Sequence, residues 1–171
     1  MEILTSIHLF KFNRWSISDN QITQTFNIIS SNSKTNKHEI IWTIKSLNNN
    51  YLSSGSDFGS LKIWDTTLGV LVKEFIMHDG DILSSVYNPI SNILYYTGCD
   101  SLIISVQFVS QTNDWTITSQ MRPQSHDVHS LVLLDNNTLL SGGITTDICI
   151  CKLNKGQFFE KYNQKLPTSK Q

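Results

Sequence analysis

Three histidines stand just ahead of apolar runs, His38, His78 and His126, at spacings of 40 and 48 residues. Imidazoles in such places could act as general bases or metal ligands. His126-Asp127 with His129 looks like a short ligand cluster, and Cys149-Ile150-Cys151 sets two thiols at an interval of two. Either chemistry needs side chains that converge. On a strand, positions 126 and 129 point to opposite faces, whereas 149 and 151 share one. No second Cys/His pair at ligand spacing follows Cys151, and each histidine repeats without a companion ligand. No nucleophile elbow, phosphate loop, dinucleotide fingerprint or zinc-protease motif occurs. The Gly-rich step Ser141-Gly142-Gly143 ends a strand and is followed by no helical pattern. The chain is therefore expected to be no enzyme and to hold no cofactor, metal or small-molecule substrate. Its histidines are expected to be structural. Cys99, Cys149 and Cys151 all fall in apolar strand-like runs and are expected to be buried thiols behaving as small hydrophobes.

The elements that carry these residues are short strands. Apolar or alternating runs recur about every ten residues: Ile7–Asn13, Ile22–Ile29, Ile40–Ser46, Tyr51–Gly55, Ser60–Asp65 and Val70–Ile76. They continue at Asp81–Asn88, Ile93–Gly98, Leu102–Val109, Trp115–Ser119, Val128–Leu134, Thr138–Gly142 and Asp147–Leu153. Between them lie turn formers such as Asn48-Asn49-Asn50, Asp57-Phe58-Gly59 and Asp135-Asn136-Asn137. No long window sustains a helical period. The class is all-β.

Internal repetition narrows it further. After each of His38, His78 and His126 comes an apolar strand, an Asn-containing turn, then an apolar-Ser/Thr-Gly step and an outgoing strand. The steps are Leu52-Ser53-Ser54-Gly55, Tyr96-Thr97-Gly98 and Leu140-Ser141-Gly142-Gly143. A period near 40–45 residues with a Trp-Asp ending, here Trp64-Asp65, is the signature of a WD-type propeller blade. The expected fold is a partial β-propeller of about three and a half four-stranded antiparallel blades. Residues 1–37 hold part of a preceding blade (the last two strands of one) and a linker. Blades follow at 38–77, at 78–125 with a long hairpin, and at 126–154 in incomplete or degenerate form, and 155–171 form a final strand or tail.

Such blades join a His, a Ser or Thr, a Trp and a turn Asp in a buried hydrogen-bonded chain, because an orphaned buried polar group costs about 1–3 kcal/mol. The first unit offers His38, Ser54 and Trp64, with Phe58 where the Asp belongs and Asp57 one place early. The second offers His78, Thr97 and Asp100, with Val106 at the Trp position. The third offers His126 and Ser141, with Thr145 and Cys151 at the Asp and Trp positions. No unit has the full set. Apolar packing between sheets must carry the stability.

Net charge is −1, so no overall cationic field attracts nucleic acid. No apolar run approaches the roughly 20 residues that span a bilayer, and Glu2 stands where a secretory signal would carry Lys or Arg. No membrane partner is expected. Lys11, Arg14 and Trp15, and Arg122 on the Met121-Arg122-Pro123 link, are the exposed basic and aromatic candidates for RNA or partner contact. The competing reading is a solvated hairpin.

The segment order is more specific than the blade pattern. Ser54-Gly55-Ser56-Asp57-Phe58-Gly59-Ser60-Leu61-Lys62-Ile63-Trp64-Asp65-Thr66-Thr67-Leu68-Gly69-Val70-Leu71 resembles the Trp-Asp-x-x-x-Gly-x-Leu stretch of the cirhin family, WD-repeat components of the small-subunit processome. His126-Asp127-Val128-His129 followed by Leu140-Ser141-Gly142-Gly143 resembles that family's Thr-His-Asp-Val-Arg and Leu-Ile-Ser-Gly-Gly segments, with Ser125 and His129 replacing the Thr and the Arg. The missing turn Asp, the lost Trp and the long hairpin occur together there too. The resemblance covers about residues 38–165. It implies a nucleolar scaffold in ribosome biogenesis, acting in pre-rRNA processing and linked rRNA transcription, docked to other WD-repeat processome proteins and to pre-ribosomal RNA. It also implies a longer protein, because three and a half blades leave an open edge. A WD-repeat adaptor unrelated to ribosome assembly is the alternative.

Overall fold

The computed structural model describes residues 2–8, 11–16, 18–27, 39–48 and 50–165. Those residues form strands and turns with no helix, arranged as four antiparallel sheets. The first sheet holds β1 (Glu2–His8), β2 (Lys11–Ser16) and β3 (Gln21–Asn27). The second holds β4 (Ile41–Ser46), β5 (Tyr51–Ser56), β6 (Ser60–Asp65) and β7 (Val70–Ile76). The third holds β8 (Ile82–Asn88), β9 (Ile93–Gly98), β10 (Ile103–Val109) and β11 (Asp114–Met121). The fourth holds β12 (Val128–Asp135), β13 (Thr138–Gly143), β14 (Asp147–Asn154) and β15 (Gln157–Lys165). Each sheet is a meander in chain order. The turns between strands use residues that accept the left-handed region: Asn20, Asn92 and Asn113 sit at φ near 50°.

The sheets stack face to face. Leu61, Ile63 and Phe75 of the second sheet meet Ile82, Tyr87, Leu94, Tyr96, Ile104, Val106 and Trp115 of the third. Ile93, Tyr95 and Ile103 leave the other face of the third sheet and meet Val128, Leu131, Leu139, Cys149 and Cys151 of the fourth. Phe26 of β3 packs edge-on against Trp64, with ring centroids 6.1 Å apart. Neighbouring first strands are joined directly: Thr43 and Ser85 hydroxyls lie 2.9 Å apart, and Leu131 N–H donates to Ser84 Oγ. Four-stranded meanders stacked in sequence and tied along their first strands are blades of a β-propeller. The chain is a partial one.

Two strand assignments differ from expectation. The first sheet has three strands where the last two of a blade were expected, and the expected strand Ile7–Asn13 is divided between β1 and β2. Its polar stretch Asn13-Arg14 is strand because it pairs on both sides, with β1 and β3. The part of the expected strand Ile22–Ile29 past Asn27 lies outside the described residues. At the other end β15 supplies a fourth strand to the last sheet, pairing along the whole of β14. On the outer face of that sheet Val132, Leu140, Ile150 and Tyr162 form one cross-strand row, with Val132 and Tyr162 about half exposed.

Candidate functional site

The polar groups between the sheets sort by register. Ile41 pairs with Ser56, Ile82 with Gly98 and Val128 with Gly143, which makes these three pairs equivalent. Backbone approach supports the match: a Cβ added at Gly98 would lie 2.0 Å from the Asp81 carbonyl oxygen, and one at Gly143 would lie 1.9 Å from that of Asp127. Glycine is therefore required at both.

In the second sheet Trp64 Nε1–H donates to Ser54 Oγ at 2.9 Å, both groups buried. This is half of the expected chain. Its other half rests on His38, which lies outside the described residues. Asp57 Oδ1 instead accepts the Ile40 N–H, and Phe58 is exposed. Asp65 takes no part. Its Oδ1 accepts the N–H groups of Thr67 and Leu68, so it shapes the β6–β7 hairpin at the far end of the sheet.

In the third sheet His78 Nδ1–H donates to Asp100 Oδ1 at 2.6 Å, with the imidazole fully buried. Asp100 also accepts the Asp79 and Leu102 N–H groups. This clasp ties the β7–β8 connection to the β9–β10 turn. Thr97 does not join it. By register Thr97 matches Gly55, and Tyr96 occupies the place of Ser54. Thr97 Oγ1–H donates to the Leu102 carbonyl, while the His78 ring packs edge-on against Tyr96 at 5.1 Å.

In the fourth sheet the expected role of His126 belongs to Gln124. Gln124 stands four residues before Val128, as His78 stands four before Ile82. It is buried, donates through Nε2 to the Ser141 carbonyl and accepts the Thr145 hydroxyl at Oε1. His126 is exposed. The amide-to-hydroxyl pair thus stands where His78 and Asp100 stand in the preceding sheet. Removing it in Gln124→Ala should cost about 1–3 kcal/mol, because Thr145 and Ser141 lose their partner. His126→Ala should stay within about 0.5 kcal/mol of the parent. Urea unfolding of the two variants measures the difference.

The cysteines divide. Cys149 and Cys151 are buried on one face of β14 with their sulfurs 3.8 Å apart. Cys99 corrects the expectation of burial: it follows β9 in a turn and is exposed. Desolvation against that turn nonetheless pushes its thiol pKa up, and the carboxylates of Asp127 and Asp81 push the same way. Cys99 should therefore react with iodoacetamide along a curve displaced to higher pH than a free cysteine. Asp127→Asn should move that curve back, read from the alkylated peptide across a pH series.

The basic candidates are spoken for by backbone groups. Arg14 Nη1 donates to the Thr66 carbonyl at 3.3 Å, joining the first sheet to the second. Arg122 Nη1 donates to the Asp100 carbonyl at 2.7 Å and to Ser101 Oγ. Trp15 is half-buried, and the side chain of Lys11 lies outside the described residues. The structure does not bring Arg122 together with the other three. Among the described residues no group of three or more His, Cys, Asp or Glu side chains could hold a metal, and no helix is long and apolar enough to cross a membrane.

No protein-family model matches the chain. It is similar to U3 small nucleolar RNA-associated protein 4 of Schizosaccharomyces pombe, 26% identical over 71% of this chain. The protein of the same name in Saccharomyces cerevisiae is 26% identical over 75% of it, and the mouse homolog 24% over 74%. The chain spans only 17–19% of the length of these curated relatives. A shorter stretch, 43% of the chain, is 31% identical to the periodic tryptophan protein 2 homolog of Dictyostelium discoideum. The chain is thus similar, over most of its length, to proteins named for association with U3 small nucleolar RNA, and its sheets have the geometry of propeller blades.

Proposed function

We propose that the chain is a non-catalytic WD-repeat scaffold in ribosome biogenesis. It works in the nucleolus at the small-subunit processome, in pre-rRNA processing and the rRNA transcription linked to it. Its partners are other WD-repeat processome proteins, with pre-ribosomal RNA met through the group at Lys11, Arg14 and Trp15. The observation that carries this reading is the alignment of 71–75% of the chain with proteins of one name in three organisms. The polar groups between the sheets agree with it. Asp100, Gln124, Thr145 and Nδ1 of His78 spend their hydrogen bonds on one another and on backbone, as structural groups do, while His78 Nε2 is buried without a partner. The tagged chain should concentrate in the nucleolus, and its depletion should make unprocessed pre-rRNA accumulate. A diffuse cytoplasmic signal with unchanged pre-rRNA would sink the proposal.

A further inference from the structure

Three first strands carry a bulge at the same register. Pairing slips between Ile41 and Thr43, between Ile82 and Ser84, and between Val128 and Ser130. The extra residues are Trp42, Leu83 and His129. A bulge adds one unpaired residue and re-aims its side chain. Trp42 is 50% exposed, His129 is exposed and Leu83 is half-buried. Sheet packing does not use them: the core residues beside the bulges are Ile41, Ile82 and Val128, one place earlier.

All three bulges lie next to one rim, whose segments touch in sequence. The Asp57 carboxylate holds the Ile40 N–H. Gly59 sits against the His78 carbonyl, and Asp79 N–H donates to Asp100. Cys99 N–H donates to the Asp81 carbonyl, and the Cys99 side chain reaches Asp127. Along this path Ile40, Trp42, Phe58 and Met77 expose 41–50% of their surface. A single exposed aliphatic residue is ordinary, whereas exposed Trp, Phe and Met on segments that meet along one rim offer the residue types enriched at contact surfaces.

Charge selects the occupant. Asp79 is exposed, and Asp57, Asp81 and Asp127 are half-buried on the same path. The cations here are engaged or weak: Arg122 is held by the Asp100 carbonyl and Ser101, Lys161 donates to the Arg122 carbonyl, Lys165 faces Asp147 at the outer edge, and the exposed His126 and His129 are imidazoles. A phosphate backbone laid here would meet the carboxylates of Asp57, Asp79, Asp81 and Asp127. A cationic chain would meet complementary charge. We propose that the rim carrying the three bulges is a docking surface for a protein segment in which lysine or arginine alternates with large apolar side chains. The proposal rests on the rim alone, not on membership of any particular assembly.

The test is to pan random peptides displayed on phage against the full chain and measure the selected peptides by fluorescence anisotropy. Selected peptides should be rich in Lys or Arg together with Leu, Phe or Trp, and should bind more weakly as salt rises. Trp42→Ala and the pair Asp81→Lys with Asp127→Lys should each weaken binding by about tenfold or more. Ile90→Ala, at the opposite rim, should leave it unchanged. If the lysine variants do not fold, Asp81→Asn with Asp127→Asn asks the same question. The proposal is overturned if no peptide is selected, if the selected peptides are acidic, or if the rim variants bind them as the parent does. It is equally overturned if a single-stranded oligoribonucleotide competes for this rim and binds more tightly than the peptides.

Discussion

Trp115→Ala is expected to destabilise the chain by about 3–5 kcal/mol, the range for emptying a buried aromatic site. Trp115 has no exposed surface and is among the largest fully buried side chains among the described residues. It packs edge-on against Tyr51 of β5 at 5.9 Å and in a tilted contact against Phe108 at 5.5 Å, so it fills the space between the second and third sheets. Its Nε1–H is buried without a hydrogen-bond partner. Trp115→Phe gives up no hydrogen bond and should therefore cost far less than the alanine variant. Urea unfolding of both separates packing from polarity. Near-equal losses would mean that the ring edge, not its volume, matters.

Glu39→Ala should cost a similar amount, about 3–5 kcal/mol, by a different route. Lys62 is 1% exposed, and its ammonium lies 2.5 Å from Glu39 Oε2, itself buried, and 3.6 Å from the partly exposed Glu74. Without Glu39 the ammonium keeps only the longer contact. Buried pairs gain little over apolar isosteres, because desolvation consumes most of the attraction. Glu39→Leu combined with Lys62→Met should thus be close to the parent, and far more stable than Glu39→Leu alone. A double-mutant cycle by urea unfolding gives the coupling directly. Additive losses would contradict a buried, mutually dependent pair.

These two residues show what the sequence made legible and what it hid. The strands from β4 to β14 were readable because apolar runs alternate with Asn, Asp and Gly turns. The outermost β15, Gln-Phe-Phe-Glu-Lys-Tyr-Asn-Gln-Lys, was legible only as a final strand or tail, and β2 only in its first half, because exposed strands need no apolar alternation. Lys62 between Leu61 and Ile63 looks like a solvent-facing position of an alternating strand. In a stack of sheets both faces are covered, so its charge had to be paired instead. Gln124 was hidden for another reason. His126 stands nearer the strand and is the expected residue type, but register is set by the pairing of Val128 with Gly143. Counting four residues back from the first residue of the strand, as for His78, is the signal that finds it. The inner-strand bulges left no mark in the residue pattern, and without them Trp42 reads as one more strand residue.

The role proposed for this set of blades is that of an assembly platform in ribosome production. Affinity purification of the tagged chain, with bound proteins identified by mass spectrometry and bound RNA by sequencing, tests it most directly. The expected result is enrichment of other WD-repeat processome proteins and pre-ribosomal RNA. Recovery of trafficking, chromatin or ubiquitin-ligase components with neither of these would contradict it.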